Sequence, residues 1–137
     1  IGNLKGMAGG VVLVRGNAGD RVGDHLRRGI ILIEGDVGAY LGSRMTAGTI
    51  IVKGEVGPYV GYAMGRGTLL LLNAPKSLLP TFMDCGTHTL GFIPLLIRGL
   101  KPYGTVFADM SDRLKRVQRY AGDFSGLGKG EILIAQA

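Results

Sequence analysis

Short aliphatic runs, each opened by glycine, recur through the first half of the chain. Gly10-Val-Val-Leu-Val14 is followed by Gly29-Ile-Ile-Leu-Ile33, Gly48-Thr-Ile-Ile-Val52 and Gly67-Thr-Leu-Leu-Leu71, each 19 residues after the last. Other apolar positions keep the same period. Val12, Ile31, Ile50 and Leu69 form one column, and Val14, Ile33, Val52 and Leu71 a second. Ala18, Val37 and Val56 form a third; Val22, Leu41 and Val60 a fourth; Met7, Leu26, Met45 and Met64 a fifth. Glycine fills a grid of its own: Gly10, Gly16, Gly19 and Gly23, then Gly29, Gly35, Gly38 and Gly42, then Gly48, Gly54, Gly57 and Gly61. Asn73 and Lys76 end the array, standing where glycines are due.

A period of 19 is too short for a repeat made of two helices, and the Leu/Asn signature of a leucine-rich repeat is missing. No segment between glycines is long enough for a stable helix. The pattern predicts an all-β fold, a parallel β-solenoid with one coil per repeat. Its strands stack ~4.8 Å apart, and the twelve glycines sit at corners and close approaches. One coil cannot bury its own apolar face, so several must stack. The outward column Arg15, Glu34, Lys53 alternates in sign, whereas Asn17, Asp36, Glu55 sets two acids side by side.

The pattern divides the chain into Gly-rich repeats over 1–72 and a second segment of the same domain over 73–137. In the second segment Pro94–Leu100 reads as a short helix with proline in its first turn. Thr105–Ala108 reads as a strand, and Ser111–Tyr120 as a helix capped by Ser111. Ile132–Ala135 reads as a final strand. Together they are expected to form a cap of short helices and strands over an otherwise open sheet edge.

Composition narrows the function classes. With 25 glycines in 137 residues but 46% hydrophobic residues, the chain is neither a flexible linker nor a disordered tract. Aromatics are 7% and Trp is absent, so the core is aliphatic. No apolar stretch approaches the ~20 residues that cross a bilayer, and no signal peptide opens the chain. It begins at Ile1 rather than Met, and a missing N-terminal portion is expected. A net charge of +6 suits an acidic partner or a polyanion. No nucleic-acid module accompanies it, and nucleic acid is not an expected partner. The single cysteine, Cys85, fits a reducing compartment.

Candidate chemistry is sparse. Gly126-Leu-Gly-Lys-Gly-Glu131 lacks the spacing and the Ser or Thr of a phosphate loop and reads as a turn. Cys85-Gly-Thr-His88 offers half a metal site, but the only other histidine is His25. Asp84 and His88 are better read as loop hydrogen-bonding groups. No catalytic, metal or cofactor-binding residues are assigned. Arg21, Arg27, Arg28, Arg44 and Arg66 share the second half of the repeat with Tyr40, Tyr59 and Tyr62. Arginine beside exposed tyrosine is the composition of an interface, here expected to contact a partner.

Three segments carry a family likeness: Gly16-Asn-Ala-Gly-Asp-Arg-Val-Gly23, Leu79-Pro-Thr-Phe-Met-Asp-Cys-Gly86, and Arg119-Tyr-Ala-Gly-Asp-Phe124 with Gly128-Lys-Gly-Glu-Ile132. The Gly-rich repeat resembles the β-helix domain of glutamate synthase. With the later segments, the chain more closely resembles the C subunit of formylmethanofuran dehydrogenase, and most of all its bacterial relative in the formyltransferase/hydrolase complex. The resemblance implies a cytoplasmic multi-subunit complex of one-carbon metabolism, an oxidoreductase in its archaeal form. There the subunit is a scaffold with no known catalytic residues, and other subunits are its partners. The complex handles a methanofuran-type carrier and tetrahydromethanopterin, with a molybdenum or tungsten pterin in the archaeal form. A glutamate-synthase-type amidotransferase domain and a free-standing binding solenoid remain the alternatives.

Overall fold

A computed structural model describes residues 8–110, 112–123 and 128–136. Met7, Ser111 and the start of the Gly126–Glu131 segment lie outside them. Four aliphatic runs form strands: β1 (Ala8–Val14), β2 (Arg28–Ile33), β3 (Thr49–Val52) and β4 (Arg66–Leu71). They pair in parallel, and from Val11 onward each residue lies against its equivalent 19 positions on: Val12 beside Ile31, Ile31 beside Ile50, Ile50 beside Leu69; at the start of β1 the register shifts, with Ala8 beside Arg28. The repeats therefore stack as rungs. Hydrogen bonds join the loops of neighbouring rungs too, including Gly35 N to Gly16 O and Gly54 N to Gly35 O, both at 3.0 Å. No α-helix lies between Gly10 and Leu72.

Beyond residue 72 follow β5 (Met83–His88), α1 (Phe92–Gly99), β6 (Val117–Gly122) and β7 (Lys129–Ala135). The whole is one seven-stranded mixed sheet in the order β1-β2-β3-β4-β7-β6-β5. β7 takes the next parallel place beside β4, with Gly130, Ile132 and Ile134 against Gly67, Leu69 and Leu71. β6 and β5 then run antiparallel. The described chain is thus all-β in character, with one short helix.

Along β2, β3, β4 and β7 the sheet is buried on both faces, which explains strand sequences that are continuously apolar rather than alternating. One face holds Ile31, Ile33, Ile50, Val52, Leu69 and Leu71 with Leu26, Met45 and Met64. The other carries Leu32, Ile51, Leu70 and Leu133 against Ile93 and Ile97 of α1 and Phe107. Leu13 packs at the margin of this second core.

Two expected elements differ. Residues 112–116 form turns and bends, and Val117–Gly122 is a strand rather than the end of a helix from Ser111. The helical spacing of Leu114, Val117 and Ala121 is a weak local preference, and pairing with β5 and β7 on both sides outweighs it. The stretch read as a strand at Thr105–Ala108 instead forms a 3-10 turn at Val106–Asp109. The Thr105 hydroxyl accepts from Phe107 N at 3.3 Å, and Phe107 is fully buried. The outward charges also differ from expectation. Arg15 reaches the carbonyls of Tyr103 and Gly104, and Glu34 accepts from Thr105 Oγ1 (2.8 Å) and Val106 N (3.1 Å). Both clamp the segment after α1 instead of pairing with each other.

Candidate functional site

The loop of each rung turns on residues held at positive φ. Glycine serves at some of them: Gly10, Gly23, Gly29, Gly42, Gly48 and Gly61 all have φ between 68° and 101°. At Gly48 a side chain would also stand 2.9 Å from the carbonyl oxygen of Gly29. Gly35, Gly38, Gly54 and Gly57 are not left-handed; they lie against the rung beneath. A Cβ on Gly57 would sit 2.6 Å from the carbonyl carbon of Gly38. Gly16 and Gly19 face open space, having no described rung below them.

Among the described residues, six that carry side chains also occupy the left-handed region, again at the repeat spacing. Arg21, Tyr40 and Tyr59 form one column and His25, Arg44 and Ala63 a second, with φ of 55–64°. Non-glycine residues held there store backbone strain, and such positions cluster at functional sites. The first column is a surface stack. The Arg21 guanidinium lies 4.4 Å from the Tyr40 ring centre, and Tyr40 and Tyr59 stack at 4.9 Å, the rung spacing. Tyr62 meets Tyr40 edge-on at 5.7 Å. In the second column Arg44 Nη1 approaches His25 Nε2 at 3.4 Å. Beneath them Ser43 Oγ donates to Asp24 Oδ1 at 2.7 Å in a buried pair that ties two rungs together.

Arg21, Arg44, Tyr40, Tyr59 and Tyr62 thus occupy one pair of turns. Tyr59 is 48% and Tyr62 43% exposed, large aromatic surfaces left to solvent. Arg27, Arg28 and Arg66 are exposed at the strand entrances, where Arg66 pairs in register with Lys129 of β7. Among the described residues no hydrogen bond or ring contact joins these three to the tyrosine stack.

The acidic column is not repulsive as arranged. Asn17 Oδ1 accepts from Asp36 N (2.8 Å) and Asp36 Oδ1 from Glu55 N (2.7 Å), so each side chain serves the backbone of the next rung. Above the last of these loops the stack opens into a cleft of about 620 Å³. Val37, Glu55, Val56, Gly57 and Pro58 line one wall, and Ala74, Lys76 and Ser77 the other.

Cys85 and His88 lie on β5. His88 Nε2 is 2.8 Å from the carbonyl of Cys85, Cys85 Sγ donates to Met83 O at 3.5 Å, and Asp84 accepts from Gly86 N and Gln118 Nε2. These are local bonds that hold an edge strand. Nearby, Arg119 Nε donates to Glu131 Oε2 at 2.9 Å, which raises the Arg119 pKa further; the Cys85 thiol adds to the same effect. Among the described residues no group of three or more His, Cys, Asp or Glu could hold a metal ion, and no helix is long and apolar enough to cross a membrane. Lys129 and Gly130 belong to β7, with Lys129 N bonded to Gly65 O at 3.1 Å.

The stacked left-handed columns escaped the sequence reading because arginine and tyrosine carry no left-handed preference; only their 19-residue recurrence could have marked them.

No family model matches the chain. Over 58 residues it is 45% identical to the C subunit of the formyltransferase/hydrolase complex Fhc of Methylorubrum extorquens, a match covering 42% of this chain and 21% of that protein. In the crystal structure of the formyltransferase/hydrolase complex FhcABCD from Methylorubrum extorquens, solved with methylofuran, one chain matches it with a TM-score of 0.63 and 31% identity. That match covers 97% of this chain and 66% of the other. The chain's match therefore spans about a fifth of the curated relative and just under two thirds of the solved one. The chain is similar in sequence to the C subunit of the formyltransferase/hydrolase complex, and similar in fold to a chain of that complex.

Proposed function

We propose that the chain is a non-catalytic scaffold, corresponding to the C subunit, in a complex of the formyltransferase/hydrolase or formylmethanofuran dehydrogenase kind. The observation that carries this reading is the likeness, at 31% identity over 97% of the chain, to one chain of a four-subunit complex. In this reading the stacked rungs of residues 1–72 form a parallel β-solenoid. Residues 73–137 cap it within the same domain, through β7 at the end of the parallel series and α1 over its outer face. The corner glycines keep the rungs close. Partner subunits, in the cytoplasm, supply the one-carbon chemistry, with a methanofuran-type carrier and tetrahydromethanopterin as their cofactors.

The contact assigned to this chain is the Arg21–Tyr40–Tyr59–Tyr62 stack with Arg44, flanked by Arg27, Arg28 and Arg66. Aromatic and arginine side chains dominate interface energetics, and a basic surface favours an acidic partner through steering and register. The test is co-expression of the tagged chain with the neighbouring subunits of such a complex. Stoichiometric co-purification is expected, with no formyl hydrolysis by the chain alone. Failure to assemble, or turnover by the isolated chain that Cys85→Ala and His88→Ala abolish, overturns the reading.

A further inference from the structure

The cleft above the third loop is an unfinished rung. Two lower junctions show what completes one. At the first, Gly35 N donates to Gly16 O, Ala18 N to Asp36 O and Gly38 N to Gly19 O. At the second, Gly54 N donates to Gly35 O, Val37 N to Glu55 O, and Gly57 N to the carbonyls of Val37 and Gly38. At the third, Gly54 O, Val56 N and Gly57 O have no hydrogen-bond partner among the described residues. The Glu55 carboxylate, in the column where Asn17 and Asp36 accept the next rung's N–H, is exposed as well.

The chain does not fill this place itself, for a steric reason. At both lower junctions the upper rung carries glycine where it crosses, because a Cβ would meet backbone: 2.7 Å from Gly16 at Gly35, 2.5 Å from Gly35 at Gly54, 2.6 Å from Gly38 at Gly57. The residues due over Gly54 and Gly57 are Asn73 and Lys76. Asn73 turns aside, its Nδ2 donating to Lys53 O at 2.8 Å, and Ala74, Lys76 and Ser77 become the far wall.

We propose that the cleft binds an extended Gly-x-x-Gly segment of another polypeptide, which adds as the missing rung. Its first glycine N–H donates to Gly54 O and its second residue's N–H to Glu55. Its second carbonyl accepts from Val56 N–H, and its fourth N–H donates to Gly57 O. Backbone pairing supplies the affinity, and the two glycines supply the selectivity. The volume of about 620 Å³ falls within the roughly 300–1,000 Å³ of ligand pockets. A second copy stacked whole on this end is excluded, because β7 already occupies the strand position after β4. The inference goes beyond the subunit reading and stands without it.

The test uses the full chain and two synthetic hexapeptides: Gly-Asp-Val-Gly-Ala-Tyr, which copies residues 35–40, and the same peptide with both glycines changed to alanine. The expected result is saturable binding of the first, with NMR shifts centred on the amides of residues 54–57 and 59, and at least about tenfold weaker binding of the second. Val56→Pro removes the central donor and is expected to abolish binding. Ser77→Trp, which narrows the cleft from the opposite wall without touching the rungs, is expected to weaken it and guards against a folding defect in the first variant. Equal binding of both peptides, no shift at residues 54–59, or self-association that protects the Val56 amide without peptide would overturn the proposal.

Discussion

The carboxylate of Asp123 accepts the backbone N–H of Ala63 at 2.9 Å, in the place where a further rung would offer a carbonyl. In the same column His25 N donates to Ser43 O and Arg44 N to Tyr62 O. Asp123 N also donates to Met64 O at 3.2 Å, so one residue at the end of β6 closes both edges of the last turn. Asp123 is 1% exposed, and its side chain does the work of a missing strand.

Replacing Asp123 with Ala strands a backbone donor in a part-buried turn. The expected loss is about 1–3 kcal/mol of stability. Asp123→Asn, which keeps an acceptor oxygen, is expected to lose less. Urea denaturation of the three proteins checks the order.

Two glycines separate close approach from mere repetition. Gly57→Ala places a methyl against the backbone of Gly38 and is expected to destabilise by about 1–3 kcal/mol. Gly16→Ala meets nothing within 4 Å and is expected to change stability by less than about 0.5 kcal/mol. Equal melting-temperature shifts in the two variants would contradict the account of the glycine grid.

Tyr40 sits at φ 63° in the middle of the surface stack. Tyr40→Gly relieves the backbone strain while deleting the ring. Thermal stability is expected to hold or rise, while co-purification with partner subunits falls. Tyr40→Phe, which keeps the stack, is expected to assemble normally. Loss of folding and assembly together in the glycine variant would assign the ring to stability alone.

Phe107 is fully buried between the sheet's outer face and α1. Phe107→Ala is expected to cost about 3–5 kcal/mol. Hydrogen exchange should show the loss concentrated in α1 and in the Thr105–Asp109 turn, with the rungs of β2–β4 less affected.

The registers of β1–β4 were legible because every column repeats without slippage, so a single offset aligns Val12 with Leu69. The place of β7 was not. Ile132 and Ile134 continue the columns of Leu69 and Leu71, but the intervening chain breaks the period, and nothing local says that a distant strand resumes it. The outer core was equally hidden: Leu32, Ile51 and Leu70 repeat like their neighbours, and only α1 and Phe107 reveal that their side is covered. The segment at 112–122 was misread because a strand paired on both sides by β5 and β7 takes its conformation from them. Of the site, the identity of its arginines and tyrosines was legible, and their order in a stack was not.

The clamps on the segment after α1 have a consequence for how the molecule can change length. Arg15 holds Tyr103 and Gly104, Glu34 holds Thr105 and Val106, and Arg113 Nη2 donates to Leu72 O at 3.2 Å. Arg15, Glu34 and Leu72 belong to one column on different rungs, so residues 103–106 and Arg113 touch that column at three heights. Removing one 19-residue unit would shorten the stack by ~4.8 Å and move these contact points out of step with the segment after α1. The number of units between Arg15 and Leu72 is therefore matched to a segment outside the repeat, and inserting or deleting one unit is expected to break these contacts.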